Sequence, residues 1–248
     1  MIVSGLKDSS KIIKEHILKN RIIDIKTRIT KAAASCNRKA GSVRLVAVTK
    51  TVPAERIREA IESGISIIGE NYIKDARDKH PLLSSQPVSW HFIGHLQTNK
   101  AKYAVKMFDL IHSVDSVKLA EELDILAKKI GKIQNVLIQV NIGKEETKSG
   151  INEEDLPGLV DDISRFKNIF VKGLMIIPPF FDDPEKSRPY FSALRNLRDR
   201  ITGSPEYRSH DNIELNELSM GMSADFETAI EEGATIVRIG TAIFGERT

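Results

Sequence analysis

The 248 residues carry 37 basic and 34 acidic side chains, a net charge of +3 with the two signs interleaved along the chain. That balance excludes the strongly basic footprint of a nucleic-acid binder, and no run reaches the roughly 18 consecutive apolar residues of a membrane span. The single cysteine, Cys36, can form no internal disulfide, and the opening MIVSGLKDSSK lacks the apolar core of a signal peptide, so a reducing, cytoplasmic setting is expected.

In chain order, the stretch from Ser10 to about Cys36 places Ile13, Ile17, Ile25 and Ile29 at helical spacing after a serine suited to an N-cap. This predicts one long helix, with Asn20 as the place where it would break. Eight short apolar, β-branched runs follow at residues 43–49, 66–70, 88–94, 110–114, 135–142, 169–177, 213–220 and 235–244. Between them lie segments of helical periodicity at 53–63, 71–79, 97–107, 116–130, 153–165, 184–200 and 223–232. Strands alternating with helices imply right-handed crossovers and a parallel sheet, and eight such units close a barrel. Only seven helices follow eight strands, so the N-terminal helix is expected to cover the open place. The expected fold is therefore α/β, a single (β/α)8 TIM barrel over 1–248, with a helical segment at 1–42 and the barrel at 43–248. A loop insertion is expected at Thr202–Asn212. A doubly wound sheet is disfavoured because TKTVPAE after the first strand has no Gly-rich fingerprint.

Functional groups of such barrels gather at the C-terminal ends of the strands. Polar residues there are Lys50, Glu70, Asn71, His91, His95, Ser113, Asp115, Gln139, Asn141, Ser219 to Ser223 and Arg238 to Thr241. The sharpest cluster is LSMGMSADFE with RIGTAIFG. Small residues let backbone N–H groups approach a ligand, Ser223 reads as a helix N-cap, and Gly240 and Thr241 follow the last strand, so together they describe a phosphate cup. Arg238 shares the face of Ile236 and Gly240, hence the barrel interior. A buried guanidinium needs an acceptor, which Glu217 or a ligand's ring nitrogen or phosphate could supply. Lys50 ends the apolar run VRLVAVTK. An amine, a phosphate cup and a buried Arg across one mouth suit a phosphorylated aldehyde held as a Schiff base, pyridoxal 5'-phosphate (PLP) foremost, with a phosphorylated sugar as the alternative.

The motifs VAVTK, GENY, WHFIGHLQTNK, VLIQVNI, KSGI, GLMIIPP, LSMGMSADFETAI and VRIGTAIFG, spanning Val43 to Arg247, resemble the pyridoxal phosphate homeostasis proteins, relatives of the N-terminal barrel of alanine racemases. The resemblance implies a fold-type III PLP barrel with the Schiff-base lysine at Lys50. It implies phosphate contacts at Ser219, Ser223, Gly240 and Thr241, the pyridine-nitrogen partner at Arg238, and pocket-lining roles for Asn71 and His91. No chemical role follows for Lys148 of KSGI. It further implies a cofactor carrier in vitamin B6 and amino-acid homeostasis, without the second base of a racemase; a genuine PLP-dependent racemase or lyase is the alternative. Expected partners are PLP and apo-enzymes that use it, with neither nucleic acid nor membrane, and the barrel is expected to be monomeric.

Other patterns point elsewhere. HFIGH has the spacing of two helical metal ligands, but it begins in a strand and lacks the Glu of HExxH, so no metal is expected. TNKAKYAVK reads as a solvated helix face, and Asp182, Asp183 and Glu185 as an acidic helix start.

Overall fold

The computed structural model describes residues 2–143, 149–205, 207 and 210–246, with side chains from residue 15 onward. Lys148 of KSGI lies outside the described residues, as do Glu206, Arg208 and Ser209 of the expected insertion. Eight strands, β1 (Arg44–Val48), β2 (Ile67–Glu70), β3 (Ser89–Phe92), β4 (Leu110–Val114), β5 (Gln134–Gln139), β6 (Ile169–Met175), β7 (Ile213–Ser219) and β8 (Ile236–Ile239), form a closed parallel barrel in sequence order. Closure is made by β1 lying beside β8. The helices are α1 (Ile2–Ser35), α2 (Ala54–Glu62), α3 (Ile73–Leu83), α4 (Ala101–Met107), α5 (Val117–Lys129), α6 (Leu156–Ser164), α7 (Arg188–Thr202), α8 (Phe226–Glu231) and the single turn α9 (Thr241–Phe244). Each of the eight expected strands is present.

Strand alternation sorts the side chains into two apolar layers. Val46, Ile67, Leu110, Leu137, Met175 and Ile236 fill the barrel interior, while their neighbours Ala47, Ile68, Ile111, Ile138 and Val237 join the shell between strands and helices. Arg44, on the Val46 face, pairs at 2.7 Å with Glu217. The β1 face is thus charged at its N-terminal end and apolar through the middle.

The long N-terminal helix takes the place of an eighth barrel helix, packing against α2, α8 and α9. Its buried stripe is Leu18, Ile22, Ile25 and Ile29, reinforced by Arg28, which makes paired 2.8 Å hydrogen bonds to Glu227 and lies 4.8 Å over the Phe226 ring. Three expectations for this segment are corrected. Ile17 is 44% exposed, because eight residues back from Ile25 overshoots two whole helical turns and rotates it off the stripe. Ser10 lies inside the helix rather than capping it, and the helix runs unbroken through Asn20, whose exposed position leaves its amide in water. At the other end, the apolar run expected as strand 235–244 divides at Gly240: β8 stops at Ile239, and TAIF turns into α9.

Truncating the stripe tests whether α1 is integral to the barrel. Ile22→Ala should lower unfolding stability by about 2–5 kcal/mol, the usual cost of such a cavity, in a single denaturant transition; a value below about 0.5 kcal/mol, typical of surface changes, would show α1 to be a dispensable appendage.

Candidate functional site

β1 ends at Val48 and the chain turns through Thr49–Val52, closed by a 3.0 Å hydrogen bond from Val52 N–H to the Thr49 carbonyl. Lys50 sits half-buried in that turn, and Thr51 after it adopts φ +64°, a left-handed conformation that β-branched residues rarely take. The closure of β1 on β8 brings this turn against the last strand. A pocket of about 350 Å³ is lined by Lys50, Thr51, Arg56, Gly240, Thr241 and Phe244. A β-carbon at Gly240 would stand 3.3 Å from Val48 Cβ, so the smallest residue lets the two strand ends approach.

Beneath the mouth lies a buried polar chain. Arg238, 3% exposed, donates from Nη1 to Ser219 Oγ at 2.7 Å and from Nη2 to the Ile176 carbonyl at 2.9 Å. Ser219 Oγ lies 2.9 Å from His112 Nδ1, and His112 Nε2 lies 3.0 Å from His91 Nδ1. The two contacts are consistent when Ser219 Oγ–H donates to His112 Nδ1 and His112 Nε2–H donates to His91 Nδ1, leaving His91 to present Nε2–H. Burial pulls the guanidinium down to about 10, so it stays charged at neutral pH. Burial also drives both imidazoles down, aided by the nearby arginine charges, His91 to about 3, so both stay neutral. No carboxylate pairs with Arg238 among the described residues; Glu217, expected as one partner, is taken by Arg44 and Thr235 nearer the opposite end of the barrel.

Of the other expected positions, Ser223 is not an N-cap. Asp225 occupies that position and accepts from Met222 N–H at 2.7 Å, which delays the start of α8. Ser223 Oγ instead accepts from Ala242 N–H at 3.4 Å, bringing it beside Gly240 and Thr241. Ser219, implied as a phosphate contact, is fully buried, with its hydroxyl 2.7 Å from Arg238 Nη1 and 2.9 Å from His112 Nδ1. Asn71 follows β2, with its Oδ1 sheltered and lacking a partner among the described residues. Glu70 turns away from the mouth into the helical shell, paired with Lys79 at 2.7 Å. His91 and His95 separate: His91 joins the interior chain, while exposed His95 lies 3.0 Å from Ser149 Oγ. His112 and Lys79 escaped the sequence reading. His112 carried a signal, since it shares the inward parity of Leu110 in an otherwise apolar strand; Lys79 looked like any helix-surface lysine.

These groups fit a phosphorylated aromatic aldehyde. Gly240 and Thr241 line the pocket with Lys50, Ser223 meets the Ala242 N–H next to them, Arg238 is a buried cation with no carboxylate ion pair among the described residues, and Asn71 Oδ1 has no hydrogen-bond partner among them. A larger groove of about 680 Å³ between α6 and α7, lined by Pro157, Leu197 and Tyr207, lies away from the strand ends that hold these groups.

Comparison with known proteins agrees. The family model for the alanine racemase N-terminal domain matches residues 24–248. A pyridoxal phosphate homeostasis protein of Aquifex aeolicus is 47% identical over 227 residues, covering 92% of this chain and 97% of that protein. Among solved structures, an unknown protein from Bifidobacterium adolescentis matches with TM-score 0.83 at 36% identity over 94% of this chain and 96% of that one. PipY of Synechococcus elongatus, solved with PLP bound, matches with TM-score 0.76 at 36% identity over 88% of this chain and 100% of its own.

The neutral imidazoles make stability depend on pH. An unfolded histidine takes up a proton near pH 6.5 while folded His91 resists down to about 3, so its contribution is complete above pH 6.5 and is lost as pH falls through that window. Below pH 6.5 each such histidine should cost about 1.4 kcal/mol per pH unit. Urea unfolding between pH 7 and 5.5 should therefore show a shallower loss in His112→Gln than in wild type; equal slopes would mean that His112 is already charged in the fold.

Proposed function

Since the chain belongs to the pyridoxal phosphate homeostasis protein family, we propose that it binds pyridoxal 5'-phosphate through a Schiff base at Lys50 and acts as a carrier of the cofactor in vitamin B6 and amino-acid homeostasis. The observation that carries this reading is the single pocket shared by Lys50, Gly240 and Thr241, at the end of the strand that carries the buried Arg238. The whole barrel, with its N-terminal helix, acts as one binding unit, in a reducing cytoplasmic setting suited to a lone, partly exposed cysteine.

When bound, the cofactor supplies an aldehyde carbon that an amine can hold covalently and a ring that withdraws electrons. Lys50 provides the amine. Ser223 and Thr241, with the backbone at Gly240, hold the phosphate, and Asn71 and His91 line the mouth. Arg238, steered by Ser219, would face the ring nitrogen. A guanidinium lowered only to about 10 keeps its proton at neutral pH, so it would donate a hydrogen bond to the ring nitrogen without protonating it, and the ring would be a weak electron sink. His91 and His112 stay neutral, hence poor proton carriers near pH 7. A weak sink flanked by imidazoles that hold no extra proton favours retention and release of the cofactor over amino-acid turnover.

Borohydride reduction of the PLP-loaded protein followed by peptide mass spectrometry should place a pyridoxyl adduct on Lys50, and Lys50→Ala should abolish it; an adduct mapped to another lysine would refute the assignment. Thr241→Ala should weaken cofactor retention about tenfold, the effect of losing one charge-assisted hydrogen bond, as read from dialysis half-times. Steady-state racemisation of common amino acids by the purified protein would overturn the carrier reading.

A further inference from the structure

The outward turn of Glu70 creates a buried charged knot behind Lys50. Its neighbour Gly69 aligns with inward-facing His91, so alternation sends the Glu70 side chain under α3, where it is wholly buried. Glu70 Oε1 accepts from Thr49 Oγ1 at 2.6 Å and from Lys79 Nζ at 2.7 Å. Lys79, 9% exposed, also donates at 2.7 Å to the carbonyl of Thr49. That carbonyl accepts Val52 N–H as well, and the Thr49 N–H is bonded to the Gly69 carbonyl at 2.9 Å. Every polar group of Thr49 is therefore engaged, and the two residues that follow are Lys50 and Thr51 at φ +64°.

Burying a carboxylate and an ammonium is expensive, and an apolar pair could fill the same space. Here the ammonium also grips a backbone carbonyl, one residue before the reactive lysine. A strained backbone persists only where its surroundings over-determine it, and such strain gathers at functional sites. We propose that Glu70 and Lys79 are positioning residues: an ion-pair clamp on Thr49 that holds the Lys50–Thr51 turn in its left-handed form and so presents the Lys50 amine to the pocket it shares with Gly240 and Thr241. The inference rests on the reading of Lys50 as the residue that captures PLP.

The test uses the full chain and free PLP, comparing wild type with Lys79→Met, Glu70→Gln and Thr51→Gly. Three quantities are read: the melting temperature, the rate at which a borohydride-stable Lys50 adduct forms, and the pH midpoint of the visible band of the loaded protein. Glycine adopts the left-handed region without strain and leaves the clamp on Thr49 in place, so Thr51→Gly should melt at or above the wild-type temperature and form the Lys50 adduct at the wild-type rate. Lys79→Met and Glu70→Gln should slow it at least fivefold and shift the pH midpoint, which loss of packing alone would not do. A folded clamp variant with the wild-type adduct rate and pH midpoint would overturn the clamp, and so, whether or not the clamp variants fold, would a Thr51→Gly protein slowed fivefold with the clamp intact. Absence of any Lys50 adduct in wild type would overturn the reading of Lys50 itself, and the clamp with it.

Discussion

A guanidinium inside a closed barrel must be met by acceptors, because a buried cation left unpaired is prohibitively costly. Arg238 meets this demand without a carboxylate among the described residues, using Ser219 and the Ile176 carbonyl, and the consequence spreads across the interior. Ser219 also lies within hydrogen-bond reach of His112, His112 within reach of His91, and burial holds the two imidazoles neutral. Four strands, β3, β4, β7 and β8, are tied together by one polar chain running beneath the mouth. Above it the barrel carries an amine on one side of the β1–β8 seam and small hydroxyl-bearing residues on the other.

Closure of the barrel is what makes that juxtaposition. Lys50 and Gly240 lie far apart in sequence, and only the pairing of the first strand with the last brings them to one pocket. The seam in turn needs cover, supplied by α1, whose apolar stripe and Arg28–Glu227 pairing seal the gap between α8 and α2. The helical segment at the start of the chain thus stands behind the strand that carries Lys50. The Glu70–Lys79 pair does the same from the α3 side. Rigid elements support the turn that carries Lys50 from both directions, as a precisely placed group requires.

Much of this was legible before any coordinates. Short apolar, β-branched runs marked eight strands, and parity alone placed Arg238 inside. What escaped was everything set by partners distant in sequence. Glu217 was a sound acceptor for Arg238 by residue type, but its position along β7 puts it beside Arg44. Glu70 ended a strand and so read as part of the rim, yet a strand's last side chain points outward as readily as inward. Ser223 looked like a cap because the extra turn closed by Asp225 is invisible in composition. Ile17 and Leu18 are adjacent isoleucine and leucine, and only the phase of a long helix against the barrel decides which is buried. His112 was within reach of the same parity argument that found Arg238, had an inward histidine been given the weight of an inward arginine.

The most direct test of the account is a crystal structure of the protein grown with pyridoxal 5'-phosphate. The expected result is continuous density from Lys50 Nζ to the cofactor, the phosphate against Ser223, Gly240 and Thr241, and the ring nitrogen facing Arg238, which keeps its contact with Ser219. A cofactor lodged in the groove between α6 and α7, or one in the mouth detached from Lys50 with its ring turned away from Arg238, would contradict it.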